Sequence, residues 1–329
     1  MARIGIVGVS GYGGGELLRL LASHPTFELA YVAGESSAGQ TLAQRLPWLA
    51  GRREGALVIE AFEPARVDVD LLFVSLPTGK SREPLARVPK PVKIVDVGGD
   101  HRFVEGWTYG LTELPGHRVK VASAARVANP GCYPAAALLA LAPLLKARLI
   151  EPEGIVIDAK SGVTGAGRGG ASAFGYAETN EDLFAYGLAA HPHAPEIETA
   201  LSMVGGVKAT VAFTPHLVPM SRGLLATCYA RPRTKATAND LFDAAAALYR
   251  DEPFIRVVPQ TGSGPHTGWA TGSNYAFLSY ALNAQTGLAI ALGAIDNLGK
   301  GAAGQALQNA NLMMGEEESA GLSMLPLWP

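Results

Sequence analysis

Gly8, Gly11 and Gly14 recur at every third position. They follow the apolar run Ile4-Gly-Ile-Val7 and precede the helix-forming run Glu16-Leu-Leu-Arg-Leu-Leu-Ala22. Few folds accommodate that order. A short buried strand, a glycine turn and a helix form the first half of a dinucleotide-binding unit. Glycine there lets backbone approach a pyrophosphate, and the helix N-terminus stabilises its charge. Gly8, Ser10, Gly11, Tyr12, Gly13 and Gly14 are therefore candidates for cofactor binding. The spacing is Gly-x-x-Gly-x-x-Gly rather than Gly-x-Gly-x-x-Gly, so the turn alone does not name the cofactor.

Residues 27–33 read as the second strand. Glu35 falls near the place of a ribose-binding acid, which would favour NAD, while the hydroxyls of Ser36 and Ser37 suit the 2′-phosphate of NADP. The residues conflict at this point. Asp70-Leu-Leu-Phe-Val-Ser-Leu76 is a further buried strand that ends in Pro77-Thr-Gly79, and Lys93-Ile-Val-Asp96 is another that runs into Gly98-Gly-Asp-His-Arg102. Strands alternating with helical stretches predict an α/β fold with a Rossmann-type, doubly wound parallel sheet. Ligands of such sheets sit at the carboxyl ends of strands, which places Thr78 and Asp100-His-Arg102 at the binding edge, with Pro77 a candidate for cofactor binding.

The second centre is Asn129-Pro-Gly-Cys-Tyr-Pro134, followed by the Ala/Leu run to Lys146. Pro130 and Gly131 make a turn, and Pro134 suits the first turn of a helix. Cys132 thus falls at a predicted helix N-terminus, where unpaired N–H groups and the dipole favour an anion and activate a thiol. Beyond it, residues 155–161 read as a strand, and Gly162 to Gly170 as a glycine-rich loop with Arg168 as an anion partner. His191-Pro-His193 offers an acid/base partner for the thiol. No Cys, third His or acid cluster completes a metal pattern, so no metal is expected. Residues 209–214, 224–230 and 274–282 read as long antiparallel strands, with a helix over 237–250. Cys228 lies within one of these strands as packing. Residues 294–313 read as a helix interrupted by glycines near its start, which suggests close approach of backbone to a ligand.

With 48% hydrophobic and 17% charged residues the 329-residue chain can fill two cores. A formal net charge of −2 argues against a nucleic-acid partner. Two cysteines fit a reducing cytoplasm, and no apolar run spans a bilayer.

Taken together, several segments resemble the N-acetyl-gamma-glutamyl-phosphate reductases of arginine biosynthesis. They are Gly8 to Gly14, Tyr109 to Leu114, Asn129 to Pro134, Ser161 to Arg168, His193 to Ile197, Pro215 to Gly223 and Asp296 to Gln305, in family order along nearly the whole chain. The resemblance implies an NADP-binding domain (residues 1–131), an α+β catalytic and oligomerisation domain of the semialdehyde dehydrogenase kind (132–300), and a C-terminal helix returning to the first domain (301–329). It implies a cytoplasmic homo-oligomer, dimer or tetramer, that reduces an acyl phosphate with NADPH through a cysteine thioester. The family nucleophile maps onto Cys132, and its acid/base onto the His191–His193 pair, with His193 preferred. Ser161, Gly162, Asn297 and Lys300 map to the nicotinamide side, and Asn129, Arg102, Arg168 and Glu196 are the substrate-binding candidates.

Three positions depart from the family pattern. Pro192 replaces an Arg, Thr78 a His and Thr112 a Pro. A sister group, which reduces aminoadipate phosphate held on an acidic carrier protein, has nearly the same motifs and is the alternative. A nucleotide-binding redox sensor without turnover is a remoter one, since it would not need Cys132, His193 and the Lys300 segment together.

Overall fold

The computed structural model describes residues 1–168, 176–233, 235–259 and 262–327. The chain forms two compact units. One comprises Met1–Thr112, His117–Pro130 and Ala302–Ser323, the other Glu113–Gly116, Gly131–Gly301 and Met324–Pro329.

The first unit holds a six-stranded parallel sheet. Its strands are β1 (Ala2–Val7), β2 (Phe27–Ala33), β3 (Leu71–Val74), β4 (Lys93–Asp96), β5 (Thr108–Tyr109) and β6 (Arg126–Ala128), in the order β2-β1-β3-β4-β6-β5. Ile4, Ile6 and the whole of β3 are buried, as the unbroken apolar runs foretold for a sheet covered on both faces. Helix α1 (Tyr12–Leu21) starts earlier than the Glu16 expected from its apolar run, taking three glycines into its first turn. Packing explains this: a Cβ at Gly14 would strike the carbonyl oxygen of Gly8. Short helices α2 (Leu42–Arg45), α3 (Arg82–Ala86) and α4 (His117–Ala122) complete the early part of the unit.

The second unit is built around α5 (Cys132–Lys146), buried without a break from Tyr133 to Leu145. Pro143 lies inside it and cannot donate to the carbonyl of Leu139. The hydroxyl of Tyr249 donates to that carbonyl instead, at 2.8 Å. The sheet of this unit contains β7 (Ile155–Gly162), β8 (Phe184–Ala185), β9 (Val211–Val218), β10 (Leu224–Ala230), β11 (Ile255–Val257), β12 (Ala276–Leu282) and β13 (Ala289–Ile295), ordered β11-β12-β13-β10-β7-β9-β8. It is mixed, and this corrects one expectation: the strand read at 209–214 is β9, which pairs with β7 in parallel. Helices α6 (Tyr176–Thr179), α7 (His193–Gly205) and α8 (Ala238–Leu248) belong to the same unit. Thr237 caps α8 through a reciprocal pair of bonds with Asp240. Strand β13 packs closely on α5, since a Cβ at Gly293 would lie 2.5 Å from the Ala136 carbonyl oxygen.

The stretch read as one helix over 294–313 is three elements. Strand β13 runs to Ile295, a π-helical turn covers Gly299–Ala303, and α9 (Gly304–Met314) follows in the first unit. Pairing with β10 and β12 holds residues 294 and 295 in the sheet.

Candidate active site

Cys132 is the first residue of α5, with Gly131 as N-cap in an extended conformation (φ −69°, ψ 156°) and no side-chain cap. Pro134 has no N–H and the Ala135 N–H bonds the Gly131 carbonyl at 2.9 Å, so Cys132 and Tyr133 carry the first-turn N–H groups open to an anion at this terminus. Cys132 is partly exposed, whereas Cys228 is buried in β10, where burial pushes its thiol pKa up. Cys132 lines a cavity of about 250 Å³ together with Ser161, His191 and His193, and with Tyr133 and Tyr186, which the sequence reading missed.

The imidazole of His193 lies directly over the Cα of Gly131; a Cβ there would strike its Nε2. His193 begins α7, and Pro192, as its N-cap (φ −64°, ψ −15°), presets the turn that delivers it. His191 stands differently. Its Nδ1 accepts the backbone N–H of His193 at 3.2 Å, which leaves the ring proton on Nε2. Tyr133, Tyr186 and Phe213 meet the His191 ring edge-on at 5.9, 5.5 and 5.4 Å. Burial lowers its pKa, favouring the neutral form that this hydrogen bond requires. His191 thus braces the backbone from which His193 projects.

Tyr186 donates to the Tyr133 hydroxyl at 3.2 Å, and Tyr133 donates to the His216 carbonyl at 2.9 Å. Burial pushes the Tyr186 pKa up to about 12 and that of Tyr133 higher still, so both remain neutral donors. No periodicity or motif marks a lone tyrosine in a connecting segment.

Ser161 is buried and its hydroxyl donates to the Gly162 carbonyl at 3.2 Å. Gly162 permits a close crossing, because a Cβ there would lie 2.7 Å from the Met220 carbonyl oxygen. Asn297 ties this crossing together, accepting from the Gly223 N–H at 2.9 Å and donating to Thr164 Oγ1 at 2.8 Å. Asp296 beside it accepts from Arg222 at 3.1 Å and from the Gly272 N–H at 2.6 Å. Lys300, expected on the cofactor side, presents no surface at all: it is wholly buried and paired with Glu113.

Two substrate-binding candidates are occupied within the protein. The carboxylate of Glu196 accepts the Gly131 N–H at 2.9 Å, holding the residue before the thiol. Asn129 is completely buried; it donates to the Ala302 carbonyl and accepts from Asn309, both at 3.0 Å. Arg102 Nε donates to the Asn129 carbonyl at 3.0 Å. Its neighbour Asp100 is drawn in two directions. Burial raises its pKa, but hydrogen bonds from Gly79, Ser81 and Arg82 outweigh that and lower it. Arg168 is exposed, and the rest of its loop, residues 169–175, lies outside the described residues. Thr112, in a place of family proline, accepts from the buried Gln308 amide at 2.9 Å.

In the first unit, the glycine turn fits a nicotinamide dinucleotide. Gly8 has φ +82°, and a Cβ there or at Gly14 would strike backbone oxygen, so the turn must be bare. Helix α1 has Gly11 as N-cap and no side-chain cap, which leaves its terminus to an anion. Ser10 and Tyr12 border the turn, and Pro77 is exposed just beyond β3. Ser36 is exposed. Ser37 is buried, and its hydroxyl has no hydrogen-bond partner among the described residues. A Cβ at Gly34 would lie 2.9 Å from Ser37 Oγ and 3.7 Å from Ser10 Oγ, so the two hydroxyls flank one bare backbone position.

Residues 3–122 match the family described as semialdehyde dehydrogenase, NAD binding domain, and residues 132–297 match semialdehyde dehydrogenase, dimerisation domain. A Bradyrhizobium protein named N-acetyl-gamma-glutamyl-phosphate reductase is 58% identical over 329 residues, with 99% of each chain covered. One of the same name from Frankia casuarinae is 43% identical over 340 residues, again with 99% of each covered. Among solved structures, aspartate semialdehyde dehydrogenase II of Vibrio cholerae superposes with a TM-score of 0.75 at 17% identity, covering 96% of this chain and 98% of that one. The Candida albicans aspartate semialdehyde dehydrogenase with NADP gives 0.74 at 15% identity, with 95% and 99% covered. At these identities the likeness is one of fold.

Proposed function

Since the chain belongs to the N-acetyl-gamma-glutamyl-phosphate reductase family, we propose that it converts N-acetyl-gamma-glutamyl phosphate to N-acetyl-glutamate semialdehyde and phosphate, with NADPH, in arginine biosynthesis in the cytoplasm. The observation that carries this reading is the placement of Cys132 at an uncapped helix N-terminus, with the His193 imidazole across the Gly131 Cα in the same cavity.

The Cys132 thiolate attacks the acyl carbon. The bond to phosphate breaks, phosphate leaves and a thioester forms. Backbone N–H groups in the first turn of α5 stabilise the oxyanion of each tetrahedral state. Bound NADPH supplies the hydride that reduces the thioester carbon. His193 gives a proton to the resulting oxyanion and takes it back as the C–S bond breaks and the aldehyde departs. His191 keeps His193 in place, and Glu196 does the same for Gly131. Arg102 and Arg168 are the residues assigned to the substrate's anionic groups.

NADP is the proposed cofactor, supported by the Ser10 and Ser37 hydroxyls beside Gly34. Residues 1–131 form the cofactor domain, 132–300 the catalytic and oligomerisation domain, and the segment from 301 carries the helix that rejoins the first. The protein acts as a homo-oligomer, in keeping with the dimerisation domain that residues 132–297 match.

The test is the reverse reaction: phosphate-dependent reduction of NADP by N-acetyl-glutamate semialdehyde. Activity that requires inorganic phosphate and is lost in Cys132→Ala is the expected result. Folded protein that binds NADP yet shows no such activity would overturn the reading. Activity only with carrier-bound aminoadipate semialdehyde would move the substrate to the longer acyl chain.

A further inference from the structure

Inside the second unit, the Lys300 ammonium pairs with the Glu113 carboxylate, and both side chains are fully buried at 0% exposure. The ammonium also lies 5.6 Å from the centre of the Phe254 ring. No step of the proposed reaction uses this pair. Taking two charges out of water is expensive, and apolar groups of similar volume often fold as well.

Lys300 belongs to the π-helical turn Gly299–Ala303. Such turns are rare and gather at functional places. Asp296 pins the same turn from its own end: its Oδ1 accepts the Gly299 N–H at 3.1 Å and its carbonyl accepts the Gly301 N–H at 2.9 Å. Between these anchors, Gly301 rests against the candidate nucleophile. A Cβ at Gly301 would lie 2.8 Å from Cys132 Cβ and 3.3 Å from its Cα. Bare backbone therefore lies against the cysteine, which also lines the cavity.

We propose that Glu113 and Lys300 are positioning residues for Cys132: their buried ion pair holds the Gly299–Ala303 turn against the cysteine and so fixes the direction in which its sulfur enters the cavity. The expected effect on turnover rests on the thioester reading above, whereas the effect on thiol reactivity does not.

Two full-length variants test this. Glu113→Leu combined with Lys300→Met replaces the pair by apolar groups, and Gly301→Ala presses a methyl group toward Cys132 without touching the pair. The measurements are the iodoacetamide alkylation rate of Cys132 across neutral pH, with Cys228 as the buried control, the urea unfolding midpoint, and kcat and KM. We expect folded proteins in which alkylation slows by about tenfold or more and kcat falls in parallel, with KM nearly unchanged. A folded double variant with the wild-type alkylation profile and kcat would overturn the proposal, because a merely structural pair would move only the unfolding midpoint. If the double variant does not fold, a third variant, Glu113→Gln, keeps the side-chain shape, removes the charge of the pair and decides: unchanged alkylation overturns the proposal, and alkylation slowed in the direction that Gly301→Ala slows it supports it. A wild-type protein that fails to turn over the acyl phosphate would remove the proposed function and leave the alkylation comparison intact.

Discussion

At the scale of single residues, the two histidines divide the work through one hydrogen bond. His191 accepts the His193 N–H through Nδ1, so it is neutral and has a fixed tautomer. His193 stands over Gly131 and lines the same cavity as Cys132. His193→Asn should lower kcat by about 10²- to 10⁴-fold, the usual contribution of a general acid–base group. His191→Phe should cost less, because it removes a brace and keeps the proton carrier; equal losses in steady-state kinetics would contradict the division. The two cysteines differ in the same way. Cys228 sits behind a burial-raised pKa, while Cys132 is open to the cavity. Iodoacetamide near neutral pH should label Cys132 far faster, as read by mass spectrometry of the digested protein; equal labelling would contradict this difference. Residue types were legible in the sequence here; the tautomer was not, since it depends on which backbone donor the fold brings to His191.

At the scale of elements, α5 shows how a defect in a helix is mended from outside it. Pro143 removes a donor, and the Leu139 carbonyl is satisfied by Tyr249. Tyr280 adds a second such bond, to the Ala140 carbonyl at 3.1 Å. Tyr249→Phe leaves a buried carbonyl unpaired and should destabilise the protein by about 1–3 kcal/mol in urea unfolding, with no change in the cofactor affinity of the first unit. The early glycine turn gives a complementary case. Gly14→Ala sets a methyl group against the Gly8 carbonyl and should weaken cofactor binding before it weakens the Cys132 unit. The Ala/Leu run announced α5 plainly because propensity and apolarity agree. Residues 294–313 misled because glycine and alanine carry no period there, and only pairing with β10 and β12 decides where strand ends and helix begins.

Across the whole molecule, buried neutral histidines link stability to pH. The Nδ1 of His24 accepts the N–H groups of Thr26 and Phe27 at 3.3 and 3.0 Å, and its Nε2 donates to Asn311 of α9 at 3.0 Å. His117 Nδ1 donates to the Tyr109 carbonyl at 3.0 Å. Burial lowers the pKa of both, and of His191, below the ordinary 6.5. The unfolded chain therefore takes up protons first as pH falls, and stability rises with pH through this range. The contribution is fully present above about pH 6.5 and declines below it, toward the lowered folded values. Urea midpoints measured from neutral pH downward should fall, and replacing His24 by Gln should flatten part of that slope.

The sequence by itself determined the elements whose signals are local. Unbroken apolar runs made buried parallel strands, glycine at every third position made a bare turn, and a Pro-Gly turn before an Ala/Leu run put Cys132 at a helix start. These follow from backbone sterics and burial within a few residues. Tertiary structure decided what depends on partners far along the chain. It set β9 parallel to β7, drew Glu196 to the Gly131 N–H, joined Lys300 to Glu113 across 187 residues and gave His191 its neutral form. A buried donor, acceptor or charge must find a partner when water is excluded, and which partner it finds is a property of the assembled fold.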